Sequence, residues 1–322
     1  MNTIENLSNI VDPTITEILD ETSEQLSSEL AYKQFSYEDY MPKVKAPVFS
    51  STSGLTLAQY TVEGKPYSQE DRIEGYDVSV AVKKYTKAVS WTEELVHWIE
   101  QEDKERVMDF KEDVEAVANS VYGRIDTEAS KMFYLAHGTT FQTGGDGVAL
   151  AAYNHPSKEP GVSTQRNIFS TTDSHLPPTY SSIVKAKQKL QRFYDLKGVE
   201  LKRPLKFELW HSLEMEDQVN RALNADRLPG TELNDPNTLK GKIVPKVITY
   251  QPFGYSTYWA LIATERVSKS CKMLWGWRPR YNKESNYMNG AFFREGSVYF
   301  APMFRSWQFG VFSKGDGSVI AN

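Results

Sequence analysis

Cysteine is all but missing from this 322-residue chain, with Cys271 standing alone. No intramolecular disulfide can form, and every cysteine-based zinc pattern is excluded. A lone thiol fits folding in a reducing compartment. Long apolar runs are missing too. Stretches such as Trp259 to Ala263 fall far short of the ~20 residues a membrane span needs. Residues 1–30 hold no basic stretch followed by an apolar run, so no secretory leader is expected. An excess of positive charge is missing as well: the formal net charge is −5 and the isoelectric point lies near 5.7. That sign argues against a dedicated binder of phosphate backbones. Residues 1–40 are more acidic still, with Glu17, Asp20, Glu21, Glu24, Glu29, Glu38 and Asp39 set against Lys33 as the only basic residue.

Catalytic fingerprints are absent as well. No Gly-x-Ser-x-Gly occurs, and Gly254-Tyr255-Ser256 lacks the second glycine. Gly144-Gly145-Asp146-Gly147 follows a helical pattern and not a strand, which makes it a turn and not a phosphate cradle. The histidines, His97, His137, His155, His175 and His211, form no HxH or HExxH pair. Asp146 and His155 can meet as an acid–base pair, but the favoured reading is that each organises its own turn through backbone bonds. No catalytic, cofactor-binding or metal-ligating residue is expected.

What is present is an unusual order of elements. Mean hydropathy is −0.52 and 25% of residues are charged, a balance suited to a folded chain with much surface for its size. Residues 1–46 read as an acidic arm with a helix starting at Asp12-Pro13. Residues 47–90 alternate like one long hairpin: a strand over Leu55, Leu57 and Thr61, a polar tip at Pro66 to Arg72, and a return strand from Ile73 to Val89. Such a hairpin buries little by itself and suits a surface on another molecule. Ser90-Trp91-Thr92-Glu93 reads as a capping box opening a short helix. From Glu102 to about Ala136, Val114, Val117, Val121, Ile125, Ala129 and Met132 recur at threes and fours. That spacing predicts one helix roughly 50 Å long. Further helices are expected over Pro178–Leu196 and Ser212–Asn224, with strands over Leu205–Trp210, Ile243–Tyr250 and Thr257–Thr264. The aromatic, strand-like end covers Met273–Trp277, Ala291–Phe293 and Val298–Phe312. The class is α+β, without regular βαβ repetition.

This order resembles the Hong Kong 97-type capsid fold. The text Gly144-Gly145-Asp146-Gly147-Val148-Ala149-Leu150, then Asn154-His155-Pro156 and Asn167, is similar to Mu-type major head subunit proteins. The match covers roughly residues 73–264 and extends to Asn237, Leu239-Lys240-Gly241 and Trp259. Ala151-Ala152 stand where that family usually has an aromatic, and Leu274 to Phe293 matches nothing in it. The resemblance implies an N-terminal arm (1–46), an extended hairpin loop (47–90), a peripheral domain with a spine helix (91–175), an axial domain (176–264) and a return to the peripheral domain (265–322). It implies a major capsid protein of a tailed bacteriophage, not an enzyme, that self-assembles as pentamers and hexamers into an icosahedral shell around double-stranded DNA. Portal and scaffolding or decoration proteins would be its partners, with assembly in the host cytoplasm and residence in the virion. Sequence-specific DNA binding, a membrane role and a cofactor are not expected; an acidic inner wall would let DNA slide. Lys65 lies in the loop where some members form a Lys–Asn isopeptide link, but no partner Asn can be picked out. An encapsulin-like compartment and a carboxylate-dependent hydrolase are the alternatives.

Overall fold

A computed structural model describes residues 19–35, 37–56, 58, 60–61, 67–92, 104–169, 174–227, 236–286 and 291–319. Its longest element is helix α2 (Lys104–Tyr134), which follows α1 (residues 19–29) of the arm. Val114, Val117, Val121, Ile125, Ala129 and Met132 are all buried, so the three-and-four spacing delivered one continuous apolar stripe. At 1.5 Å per residue, α2 is roughly 46 Å long.

Among the described residues the strands form two four-stranded sheets and one two-stranded sheet. The first sheet has the order β1-β8-β9-β4, where β1 is Glu38–Tyr40, β4 is Lys83–Trp91, β8 is Cys271–Asn286 and β9 is Ala291–Phe304. α2 lies across β9 and β4. Val121, Ile125 and Ala129 meet Met273, Trp275, Val298 and Phe300 there, joined by Leu30 and Tyr32 of the arm. β9 approaches the helix so closely at Gly296 that a Cβ would sit 2.9 Å from Val121 Cγ2. β1 pairs with β8 in parallel, Glu38 opposite Lys272, so the arm closes a sheet built by the far end of the chain.

The second sheet has the order β10-β7-β5-β6, with β5 Phe207–Ser212, β6 Ile243–Ile248, β7 Trp259–Ala263 and β10 Gly310–Ser313. Helix α3 (Tyr180–Gln191) packs on β7 and β10, and α4 (Glu216–Asn224) packs on β5 and β6. α3 opens on a capping box, Thr179 accepting from the Ser182 amide while the Ser182 hydroxyl takes the Thr179 amide. The end of α2 reaches this core through Met132 and Phe133.

Several expectations change. The run 47–90 is not one hairpin. β2 (Val48–Thr52) pairs with β3 (Glu74–Ser79), residues 55–56, 58 and 60–61 carry no strand, and the return run breaks before β4, which joins the first sheet. The longest hairpin is instead β8–β9. Two register shifts, at Trp275/Trp277 and Trp277/Arg280, interrupt its alternation and hid it from a period-two reading. Helix α5 (Thr264–Ser270) was not foreseen. The last strand returns to the second sheet, not to the first. Of the helix expected from Pro13, the part from residue 19 is α1 and its start lies outside the described residues. The helix expected after the Ser90 box also lies outside them, but Ser90 and Trp91 themselves pair within strand β4 instead of capping a helix.

Candidate functional site

The glycine turn is built by close approach. A Cβ on Gly145 would lie 2.8 Å from the Asp77 carbonyl oxygen, so only glycine lets this turn rest against β3. The turn aims Asp146 Oδ2 at His155 Nδ1, 2.7 Å away. A β-bridge between His155 and Gln165 doubles the chain back and brings Asn167 Oδ1 to 3.2 Å from His155 Nε2. Asn167 is fixed in turn. Its Nδ2 donates to the Leu150 carbonyl at 2.7 Å, and its Oδ1 accepts the Ala152 amide at 2.9 Å. Trp307 stacks on the imidazole at 4.1 Å. His155 and Asn167 are 1% and 0% exposed.

Asp146 and His155 therefore bond each other and do not merely serve separate turns, although Asp146 Oδ1 also accepts the Val148 amide at 3.3 Å. With both ring nitrogens engaged and an indole over one face, this row acts as a fastener. It ties residues 144–167 to the end of the chain, where the Asn167 carbonyl accepts the Phe312 amide at 2.9 Å.

The other histidines are scattered. His137 and His175 pack edge to face at 5.0 Å. Burial pushes His137 down to about 3, with His175 and Lys314 adding to the effect. His175 Nδ1 accepts the Lys314 amide at 3.2 Å. His211 Nδ1 donates to the Ser212 carbonyl at 2.8 Å. Gly254-Tyr255-Ser256 forms a single helical turn, and the Ser256 carbonyl accepts from Ser212. His97 and Lys65 lie outside the described residues. Among the described residues no group of three His, Cys, Asp or Glu side chains is placed to hold a metal ion. No described helix is long and apolar enough to cross a membrane.

What the chain does offer is contact surface. The segment between β2 and β3 is pinned at its base. Glu70 accepts the Thr56 amide at 2.8 Å and the Thr56 hydroxyl at 2.6 Å, and meets Lys197 Nζ at 3.0 Å. Those bonds hold its carboxyl down at about 2, the Thr56 hydroxyl contributing most. Asp195 Oδ2 accepts the Gly54 amide at 2.6 Å. Past these pins, Tyr60 and Tyr67 are 92% and 88% exposed. Aromatic rings left in water suit a protein contact.

The arm is fastened by Asp126 on α2. Its two carboxylate oxygens accept the Ala31 and Tyr32 amides at 3.0 and 2.9 Å. Glu38 pairs with Lys272 at 2.5 Å and Asp39 with Arg278 at 2.7 Å. A net charge averaged over the whole chain concealed a further feature, a basic band around the end of α3. The density of Lys and Arg from Lys185 to Lys206 was the signal for it.

No protein-family model and no curated protein matches this sequence. Solved structures do. A chain from the capsid of a native GTA particle is similar over 87% of this chain and 88% of its own, with a TM-score of 0.51 at 7% identity. A chain of Mycobacterium phage Patience is similar over 96% of this chain and 89% of its own, with a TM-score of 0.51 at 11% identity. At such identities the likeness is one of fold. The protein is thus a mixed α+β chain with a phage-capsid type of fold, spanning nearly the full length of both neighbours.

Proposed function

We propose that this chain is the major capsid protein of a tailed bacteriophage and self-assembles into the icosahedral shell that encloses double-stranded DNA. One observation carries the reading: the fold likeness runs over 87% of the chain against a subunit taken from a capsid, and is not confined to one common motif. The surfaces support it. An enzyme concentrates polar groups in a pocket, whereas here the unburied features are a loop with two bare tyrosines, a fastened acidic arm and a long sheet edge.

In this reading residues 1–46 are the arm and 47–90 the extended loop, each lending one strand, β1 and β4, to the first sheet. α2 with the first sheet forms the peripheral domain, and residues 176–264 form the axial domain, with β10 added to it. Copies of the chain meet as pentamers and hexamers, and portal and scaffolding or decoration proteins complete the particle. The Gly144–Asn167 text supports the Mu-type branch of the fold, its Asp146-His155-Asn167 row being an internal fastener. Catalysis plays no part.

The test is size-exclusion chromatography of the purified chain with electron microscopy of the void fraction. Closed shells, or the pentamers and hexamers that build them, are expected. A strictly monomeric or dimeric protein at high concentration overturns the proposal. Shells that take up a peptide-tagged cargo enzyme, and no DNA, move it to an encapsulin-like compartment.

A further inference from the structure

α1 and the end of α3 carry opposite charge on separate parts of the molecule. Leu26 of α1 and Leu30 just after it pack on the first-sheet core, which leaves Asp20, Glu21, Glu24 and Glu29 exposed, Asp20 on the rim of a groove shared with Arg280 and Arg294. No lysine or arginine occurs within residues 19–29. Among the described residues none of these four carboxylates joins an ion pair. Asp20, Glu21 and Glu24 lie three and four positions apart, where like charges repel and weaken the helix.

The basic band is the mirror case. A groove of about 430 Å³ is lined by Lys202, Arg266, Lys269 and Arg305, with Glu265 as the single carboxylate on its wall. Arg266 is held by three backbone carbonyls, those of Leu190 and Gln308 at 3.1 Å each and Lys202 at 2.8 Å. Its charge is therefore fixed in place by groups that do not neutralise it. Arg305 likewise donates to the Ser50 carbonyl. On the other side of the segment Leu190–Tyr194 lies a second groove of about 370 Å³, onto which Arg166 and Arg192 open and which no carboxylate lines. Gln165 and Gln308 both donate to the Tyr194 carbonyl at 2.8 Å, joining the two grooves through one backbone segment. Cations clustered this closely raise one another's energy unless an anionic partner arrives.

We propose that the basic band at the end of α3 is the docking surface for the acidic face of α1 of a second copy. The inference rests on the shell reading for the supply of neighbouring copies. Within one chain α1 is already seated on the first sheet and its carboxylates meet none of these cations. Two different surfaces of one chain make a head-to-tail contact, which closes into a ring when the rotation between copies allows it. Duplex DNA is the rival polyanion. The observations favour the arm, because it offers discrete carboxylates at equal stoichiometry to recesses of side-chain size, on a chain whose net charge of −5 repels DNA.

The test is a charge swap. Glu21, Glu24, Lys202 and Lys269 are exposed, so their reversal leaves the core alone. E21K/E24K and K202E/K269E are each expected to lower the assembled fraction at least tenfold in sedimentation at physiological salt. The chain carrying all four substitutions is expected to recover it. Circular dichroism and thermal unfolding matching the unsubstituted chain confirm that each variant folds. Pairs that assemble normally, or a fourfold variant that folds but does not recover, overturn the proposal. So does a K202E/K269E chain that assembles normally but loses retention of duplex DNA. Rings without closed shells, sensitive to the swap, leave the contact standing and remove only the shell reading.

Discussion

In the sheet β10-β7-β5-β6 every residue of β5, β7 and β10 is buried, whereas along β4, at the edge of the other sheet, only Trp91 is. The two sheets have equal strand numbers, and the first also buries its middle strands through Met273, Trp275, Val298 and Phe300, so the contrast lies at the β4 edge. The second is wrapped by α3 and α4, so its strands read as continuous apolar runs such as Trp259-Ala-Leu-Ile-Ala. The first is covered by α2 and the arm and ends on an exposed edge bearing Lys83, Lys84 and Lys87. Lysines on an edge discourage random strand pairing without burying it. One region thus satisfies itself, while the other, with the loop between β2 and β3, leaves groups for another molecule to satisfy.

Truncating a side chain in each sheet is the sharpest way to break that contrast. Leu209 in β5 is 0% exposed, and L209A is expected to cost about 3–4 kcal/mol through lost transfer energy and a cavity. V89A in β4 is expected to cost less than about 1 kcal/mol. Equal shifts in denaturant midpoint would sink the comparison. Next in size is D126A, which strands the Ala31 and Tyr32 amides and should cost about 2 kcal/mol. Hydrogen exchange at those two amides should accelerate while β5 stays protected.

Acid probes the self-contained side. Burial holds folded His137 down at about 3, against its ordinary 6.5, so between those values the unfolded chain binds more protons. Stability is full above pH 6.5 and declines as pH falls toward 3, by about 1 kcal/mol between pH 7 and 5.5. H137F should flatten that decline in urea melts run at several pH values; an unchanged slope assigns it elsewhere. The smallest effect is E70Q. Its half-buried side chain lies outside both four-stranded sheets, so global stability should hold, but limited proteolysis between β2 and β3 should quicken several-fold as the Thr56 and Lys197 contacts weaken. An unchanged cleavage rate would mean that the loop is held by other groups.

The same contrast decided what the sequence revealed. α2 was legible because one face is buried along most of its length, and burial on one face writes a helical period into the residues. β5, β6 and β7 were legible to within a few residues for the corresponding reason. β8–β9 was legible only in pieces, as strand over Met273–Trp277, Ala291–Phe293 and from Val298, since Gly276 and Pro279 sit at its register shifts and hide the continuity. The pairing of Asp146 with His155 and Asn167 needed the His155–Gln165 reversal, which depends on backbone contacts that composition does not encode. The basic band was countable in the sequence, but its opposition to the arm became visible only when α1 was seen turning its carboxylates outward.

The parallel pairing of Glu38 with Lys272 also sets an order of events. A ribosome adding ~5–20 residues each second needs on the order of ten seconds or more to go from one partner to the other. Throughout that interval the arm has no strand to join, and β4 waits nearly as long for β9. Such distant closures are slow steps in folding. The sheet carrying the arm is therefore completed late, once β9 is made, and only β10 of the self-contained sheet follows it. A chain abandoned midway has neither a seated arm nor a partner for β4.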